Sequence, residues 1–282
     1  MNLISEVSRR LGREDWALID LTLRQFGFPW TDEWNGDTRT AYVLDMIQSS
    51  EDTGLLALGE HLGFEFGSTR PQVEPAFWFS GYFRLFLSHL ATHRGYAAEL
   101  QRDCFPFGVS AFVAHNDIEP ATTWQDEIES ALATCDAMLV LLHPEFHESK
   151  WTDQEIGYAM GRQLLVVTLR LGTDPYGFIG RFQAMDGVGK DSAKVTHELL
   201  DILRRHRQTR KRIAESTVAI LEESGTFARA KANMELVEKL EYWDSALSSR
   251  ARTAVQSNGQ ISEAWGIPER LEQHIQRMGK GT

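Results

Sequence analysis

An α/β domain built on a mostly parallel sheet, carried between two helical segments, is the fold class the sequence predicts. Three observations lead there. From about residue 82 to 206, apolar runs of strand length alternate with helical stretches. Those runs are apolar at consecutive positions, as expected when helices cover both faces of a sheet. The flanks, residues 1–75 and 207–282, carry helical periodicity and no strand pattern.

In the first flank Leu3, Ile4, Val7 and Leu11 recur at helical spacing, and Trp16 to Ile19 opens a second apolar face toward Leu23 and Phe26. Pro29 is expected to break that pattern. Tyr42, Val43, Met46 and Ile47 predict a third helix, and Leu55, Leu56, Leu58 and Leu62 a fourth. Gly67 to Pro71 with Pro75 reads as a linker. Strands are expected at Leu85–Leu87, Val109–Ala114, Ala137–Leu142 and Leu164–Leu171. Helices are expected around Tyr96–Cys104, Thr123–Thr134, after Trp151, and at Ser192–Arg205. Right-handed crossovers would line up the strand ends Ser88-His89, His115-Asn116-Asp117 and His143 along one edge. Beyond residue 207 come helical patterns through Val218, Leu221, Leu236, Val237 and Leu247, punctuated by Ser257-Asn258-Gly259. Pro268 suits the first turn of a last helix.

The 282 residues carry a formal charge of −11, which disfavours non-specific binding to nucleic acid or anionic membrane. The basic run Arg204, Arg205, Arg207, Arg210, Lys211 and Arg212 reads as a solvated helix end. Cys104 and Cys135 form no CxxC pair and no disulfide framework, which points to a reducing, cytoplasmic setting. Apolar runs are too short to span a bilayer, and Glu6, Arg9 and Arg10 interrupt any signal-peptide layout.

One stretch organises the chemistry: Ser149-Lys150-Trp151-Thr152-Asp153-Gln154-Glu155-Ile156. It follows the buried strand run Ala137–Leu142 and turns into a helix, with Glu155 one turn beyond Trp151. In open α/β sheets ligands bind at the carboxyl edge of the strands, and Glu155 falls there. The same residues fit a structural reading. Thr152-x-x-Glu155 is a capping box, with Trp151 and Ile156 placed for a hydrophobic staple. Spacing leaves both open.

Other motifs fail. No G-x-G-x-x-G follows a strand, and Gly189-Lys190 is followed by Asp191, with Ala184 where a P-loop needs glycine. His143 and His147 are four apart, but Pro144 interrupts a continuous helix and the order is not H-E-x-x-H. No metal site is expected. No G-x-S-x-G elbow makes Ser88 a nucleophile.

Taken in order, residues 82–206 resemble the bacterial form of the Toll/interleukin-1 receptor (TIR) domain. Phe86-Leu87-Ser88-His89 is similar to its first-strand signature. Asn116 to Pro120, then Trp124 and Glu127-Ile128, resemble the long loop after the second strand and the helix behind it. Asp136-Ala137 and the following apolar run resemble the third strand, and Ser149-Lys150-Trp151 with Glu155 the helix that carries the family's catalytic glutamate. Asp174 to Gly180 with Gln183-Ala184 resembles a loop of bacterial members. The chain departs from the pattern at His93, where an acidic residue is expected, at Ala121 for glycine, and at His143 for serine. Residues 1–75 resemble the small helical adaptors at the start of bacterial defence proteins.

The resemblance implies a flavodoxin-like TIR domain flanked by an N-terminal helical module and a C-terminal helical extension. It implies NAD as substrate rather than cofactor, cleaved by hydrolysis or cyclisation in antiphage defence or cell suicide, with Glu155 catalytic. Ser88, His89, Asp117, Trp124, Ser149 and Trp151 are the expected substrate-binding residues. It also implies self-association through the loop His115–Thr123, where Ile118 and Pro120, with Trp124 just past its end, are apolar, and an activating partner at a helical flank. The rival reading is a non-enzymatic TIR adaptor working by homotypic assembly. A receiver-like fold is disfavoured because no clear acidic pair follows the first strand.

Overall fold

The computed structural model describes residues 3–48, 52–62, 75–113 and 124–279. The chain forms two compact units, Met1–Val73 and Glu74–Thr282. The expected linker at Gly67–Pro71 and the loop His115–Thr123 lie outside the described residues.

Among its described residues the first unit contains four helices: α1 (Leu3–Leu11), α2 (Trp16–Gln25), α3 (Arg39–Ile47) and α4 (Asp52–His61). Val7, Leu11, Ile19, Leu23, Tyr42, Val43 and Ile47, the apolar stripes of α1 to α3, meet in one core with Leu55 and Leu58. Asp15 and Thr38 cap α2 and α3 by accepting the Leu18 and Ala41 amides. Pro29 does not end α2. Gly27, at φ +75°, does so two residues earlier. The Phe28 amide then donates to Leu23 O and the Gly27 amide to Arg24 O, a Schellman ending.

In the second unit the strands are β1 (Phe83–Ser88), β2 (Val109–Phe112), β3 (Ala137–Leu142), β4 (Leu165–Arg170) and β5 (Met185–Asp186). Between them run α5 (Arg94–Cys104), α6 (Trp124–Thr134) and α7 (Lys150–Gly161), and α8 (Ser192–Arg205) follows β5. All strands pair in parallel, in the order β2-β1-β3-β4-β5. This is the α/β, flavodoxin-like arrangement with helical flanks that the resemblance implies. Leu85, Leu87, Leu139, Leu141, Val167 and Leu169 face one core with α5 and α8. Phe86, Met138, Val140, Leu142 and Val166 face the other, with Ile128 and Ala131 of α6 and Ile156 and Ala159 of α7. Burial of every β3 residue explains its uninterrupted apolar run. The two residues of β5 are too few to leave a pattern in the sequence.

The chain continues through α9 (Arg210–Glu222), α10 (Phe227–Glu238), α11 (Ser245–Ser257), α12 (Gly259–Ser262) and α13 (Ile267–Gly279). Ala214, Val218 and Leu221 of α9 join a separate helical core with Met234, Val237, Leu247 and Leu271. Ile213 of the same helix enters the sheet core. α9 is also tied to the sheet by polar groups. Ser216 Oγ donates to Gly108 O, and Arg212 donates to Tyr82 O and pairs with Asp136 at 3.3 Å. Gly108 sits at φ +76°, and a Cβ there would lie 2.6 Å from Ser216 Oγ, so glycine is required on two counts. The basic run is therefore not a uniformly solvated helix end. Arg204 is buried against Asp201, and Arg212 is bound at the foot of the sheet. No helix among the described residues is long and apolar enough to cross a membrane.

Candidate functional site

Parallel strands put the ends of β1 and β3 on one edge, and α7 begins just after β3. Ser88 is the last residue of β1, paired with Val140, and is wholly buried. Glu155 comes up to it from α7, 7% exposed, and accepts a hydrogen bond of 2.6 Å from Ser88 Oγ to Oε2.

The helix start explains how Glu155 gets there. Ser149 is the N-cap, its hydroxyl accepting the Thr152 amide at 3.4 Å, and the first helical residue is Lys150. Thr152 Oγ1 donates to Ser149 O and Phe146 O. The expected capping box on Thr152 is thus overturned, because the helix begins three residues earlier. Glu155 lies well inside α7, beside the sheet-facing Ile156, and its carboxylate bonds Ser88 instead of a cap amide. Trp151 falls in the first turn, not before it, and is 43% exposed.

Burial pushes the Glu155 carboxyl up to about 7, and the Ser88 hydrogen bond acts against that rise. No ion pair to Glu155 exists among the described residues. A buried carboxylate with one hydroxyl and no cation is electrostatically unfinished, since burying such a charge is costly until something positive arrives.

The neighbouring strand ends are histidines. His89 Nδ1 lies 2.8 Å from Leu87 O, and since a carbonyl only accepts, Nδ1 carries the proton. His93 and His143, both departures from the TIR pattern, stack on each other with ring centroids 3.3 Å apart and planes 6° off parallel. His143 is buried, and burial together with His93 lowers it to about 4, so it is neutral near pH 7. Sequence reasoning missed this stack. Its signal was two unexpected histidines, one shortly after the β1 end and one following β3.

Of the expected substrate-binding residues, the fold brings Ser88 against Glu155, sets His89 beside it in sequence, and gives Ser149 the cap of α7. Asp117 lies outside the described residues, and Trp124 is described only as the first residue of α6. Among the described residues no group of three or more His, Cys, Asp or Glu is arranged to hold a metal ion. Cys104 and Cys135 are buried free thiols, pushed up to about 12 by burial, and neither is poised as a nucleophile.

No curated protein and no solved structure matches the chain. Residues 85–200 match the family model described as a TIR domain. That match runs from within β1 to within α8 and includes both Ser88 and Glu155, so the α/β portion of this chain carries the similarity to a TIR domain.

Proposed function

We propose that the chain cleaves NAD at the nicotinamide–ribose bond, with Glu155 as the catalytic carboxylate. The observation that supports this is a buried carboxylate at the carboxyl edge of the sheet, held by Ser88 and without a cation partner among the described residues. The substrate supplies the missing charge. Its nicotinamide is already a cationic leaving group, so departure needs no general acid. As the bond breaks, positive charge moves onto the ribose, and a poorly solvated carboxylate stabilises it strongly. Approach of the cation also draws Glu155 into its ionised form, which burial otherwise disfavours. Water attack then gives ADP-ribose, nicotinamide and a proton, and attack by the substrate's own adenine gives a cyclic product.

In this reading Trp151 walls the pocket, and Asp117 and Trp124 contribute from the long loop and the start of α6. The setting is a cytoplasmic, antiphage or cell-suicide response, with copies associating through their TIR domains and the module 1–75 receiving the trigger. The adaptor reading has its own support in exposed apolar side chains, Phe178 at 78% and Tyr158 at 45%, which suit protein contact. Incubating the purified chain with NAD and measuring free nicotinamide separates the two. Release that Glu155→Gln lowers at least about 100-fold supports the enzyme. Equal release by the two proteins, or none at any protein concentration, rejects it.

A further inference from the structure

We propose that Ser88 is a positioning residue for this reaction: its hydroxyl clamps Oε2 of Glu155 and leaves Oε1 as the oxygen presented to the ligand. The inference rests on the reading of Glu155 as the reacting carboxylate, and it gives Ser88 a different role from substrate contact. Ser88 has no exposed surface and so offers a ligand no face of its own. At 2.6 Å the bond lies in the range of hydroxyl-to-carboxylate hydrogen bonds assisted by charge. It is the one hydrogen bond to the Glu155 side chain among the described residues, and none reaches Oε1.

The donor is fixed from both sides. The β1–β3 ladder holds the backbone in the rung Ser88–Val140. Just past it, His89 Nδ1 donates to Leu87 O and pins the strand end. Phe86, two residues back on the same face, packs in the core that holds Ile156 and Ala159 of α7. Strand and helix therefore cannot drift apart without disturbing packed side chains. A carboxylate inside α7 that lacked this clamp would rotate about its last torsion, a broad and soft one. It would also lose the hydrogen bond that favours its charged form.

The test follows the carboxyl itself and turnover in parallel. The full chain is labelled with 13C at the glutamate side-chain carboxyl, and the Glu155 resonance is assigned as the one missing from Glu155→Gln. Its titration is followed in wild type, Ser88→Ala and Ser88→Thr. Removing the hydroxyl should move the midpoint up by about one pH unit, and threonine should return it. The pH profile of nicotinamide release should move by the same amount in Ser88→Ala, with kcat lower and KM within about two-fold of wild type. An unmoved titration overturns the inference, and so does a higher KM with kcat preserved, which would make Ser88 a ligand contact. If the wild type releases no nicotinamide but the titration still moves, the clamp stands and the NAD reading alone falls. Should Ser88→Thr misfold, the alanine titration decides by itself.

Discussion

Asp136 stands immediately before β3 at the amino edge of the sheet, while Glu155 meets the end of β1 at the carboxyl edge. Burial raises both carboxyls, but their surroundings differ. Asp136 Oδ2 accepts the Arg84 amide at 2.8 Å and lies 3.3 Å from Arg212 Nε, so a backbone donor and a guanidinium balance it. Among the described residues Glu155 has a hydroxyl and no cation. A carboxylate whose task is to fasten α9 to the sheet has its counter-charge built in. One without it is destabilising at rest and suited to a cationic visitor. If this contrast is correct, damage at the amino edge should cost stability, and damage at the carboxyl edge should cost turnover.

The largest expected effect is at the amino edge. Ending the chain at residue 206 removes Ile213 from the sheet core, Ser216 from Gly108 and Arg212 from Asp136 together. It uncovers buried apolar surface and leaves a carboxylate without its cation, losses that add to several kcal/mol against a typical total of about 5–15. Thermal unfolding should become non-cooperative or disappear. A truncated chain melting like the full one would mean that the extension is an independent domain. By contrast, deleting residues 1–75 is expected to leave the second unit folded and able to cleave NAD.

Next comes Glu155→Gln, where activity and stability should move in opposite directions. Turnover should fall at least about 100-fold. Stability should rise at alkaline pH, since burial holds the folded-state pKa at about 7, above the 4.5 of an ordinary glutamate carboxyl. Between those values the native state binds more protons than the unfolded one, so stability declines as pH rises. The burial contribution is fully favourable below about 4.5 and lost above about 7, on the order of 3 kcal/mol in all. Urea titrations should find the two proteins alike near pH 4 and the glutamine variant more stable at pH 8. A wild type that gains stability relative to the variant between those pH values would sink the unpaired-carboxylate picture.

How much of this was visible beforehand follows from the range of the interactions. β3 and its neighbours declared themselves because two-sided burial writes a continuous apolar run. The Ser88–Glu155 bond joins residues 67 apart, and its existence depends on β1 lying beside β3, which local spacing does not encode. Local rules also chose the wrong hydroxyl for the cap of α7, because Ser149 and Thr152 both suit an N-cap and only packing decides between them. Arg212 looked like part of a solvated basic run, and its partner Asp136 lies across the fold.

Arg212→Ala sharpens the amino-edge half of the contrast. Both side chains are about a quarter exposed, so the cost is reduced by screening to about 1–2 kcal/mol, less than for a fully buried pair. Adding Asp136→Asn should recover part of it, because the uncompensated charge goes. The double-mutant cycle checks this, and additive losses would mean that the two groups do not interact.

The smallest effect is expected at Ser149, and it separates two roles on the carboxyl edge. As the cap of α7, Ser149 holds the Thr152 amide at a long 3.4 Å, and Thr152 Oγ1 steadies the same turn through Ser149 O and Phe146 O. Ser149→Ala should therefore cost only about 0.5 kcal/mol, the low end for losing a serine cap. α7 is held independently by Ile156 and Ala159 in the sheet core, so Glu155 should stay at Ser88 and kcat should be nearly unchanged. If Ser149 instead contacts the substrate, stability would hold and KM would rise, because binding rather than folding loses the hydroxyl. Measuring the urea midpoint and KM on one preparation distinguishes a residue that starts the helix from one that serves the ligand.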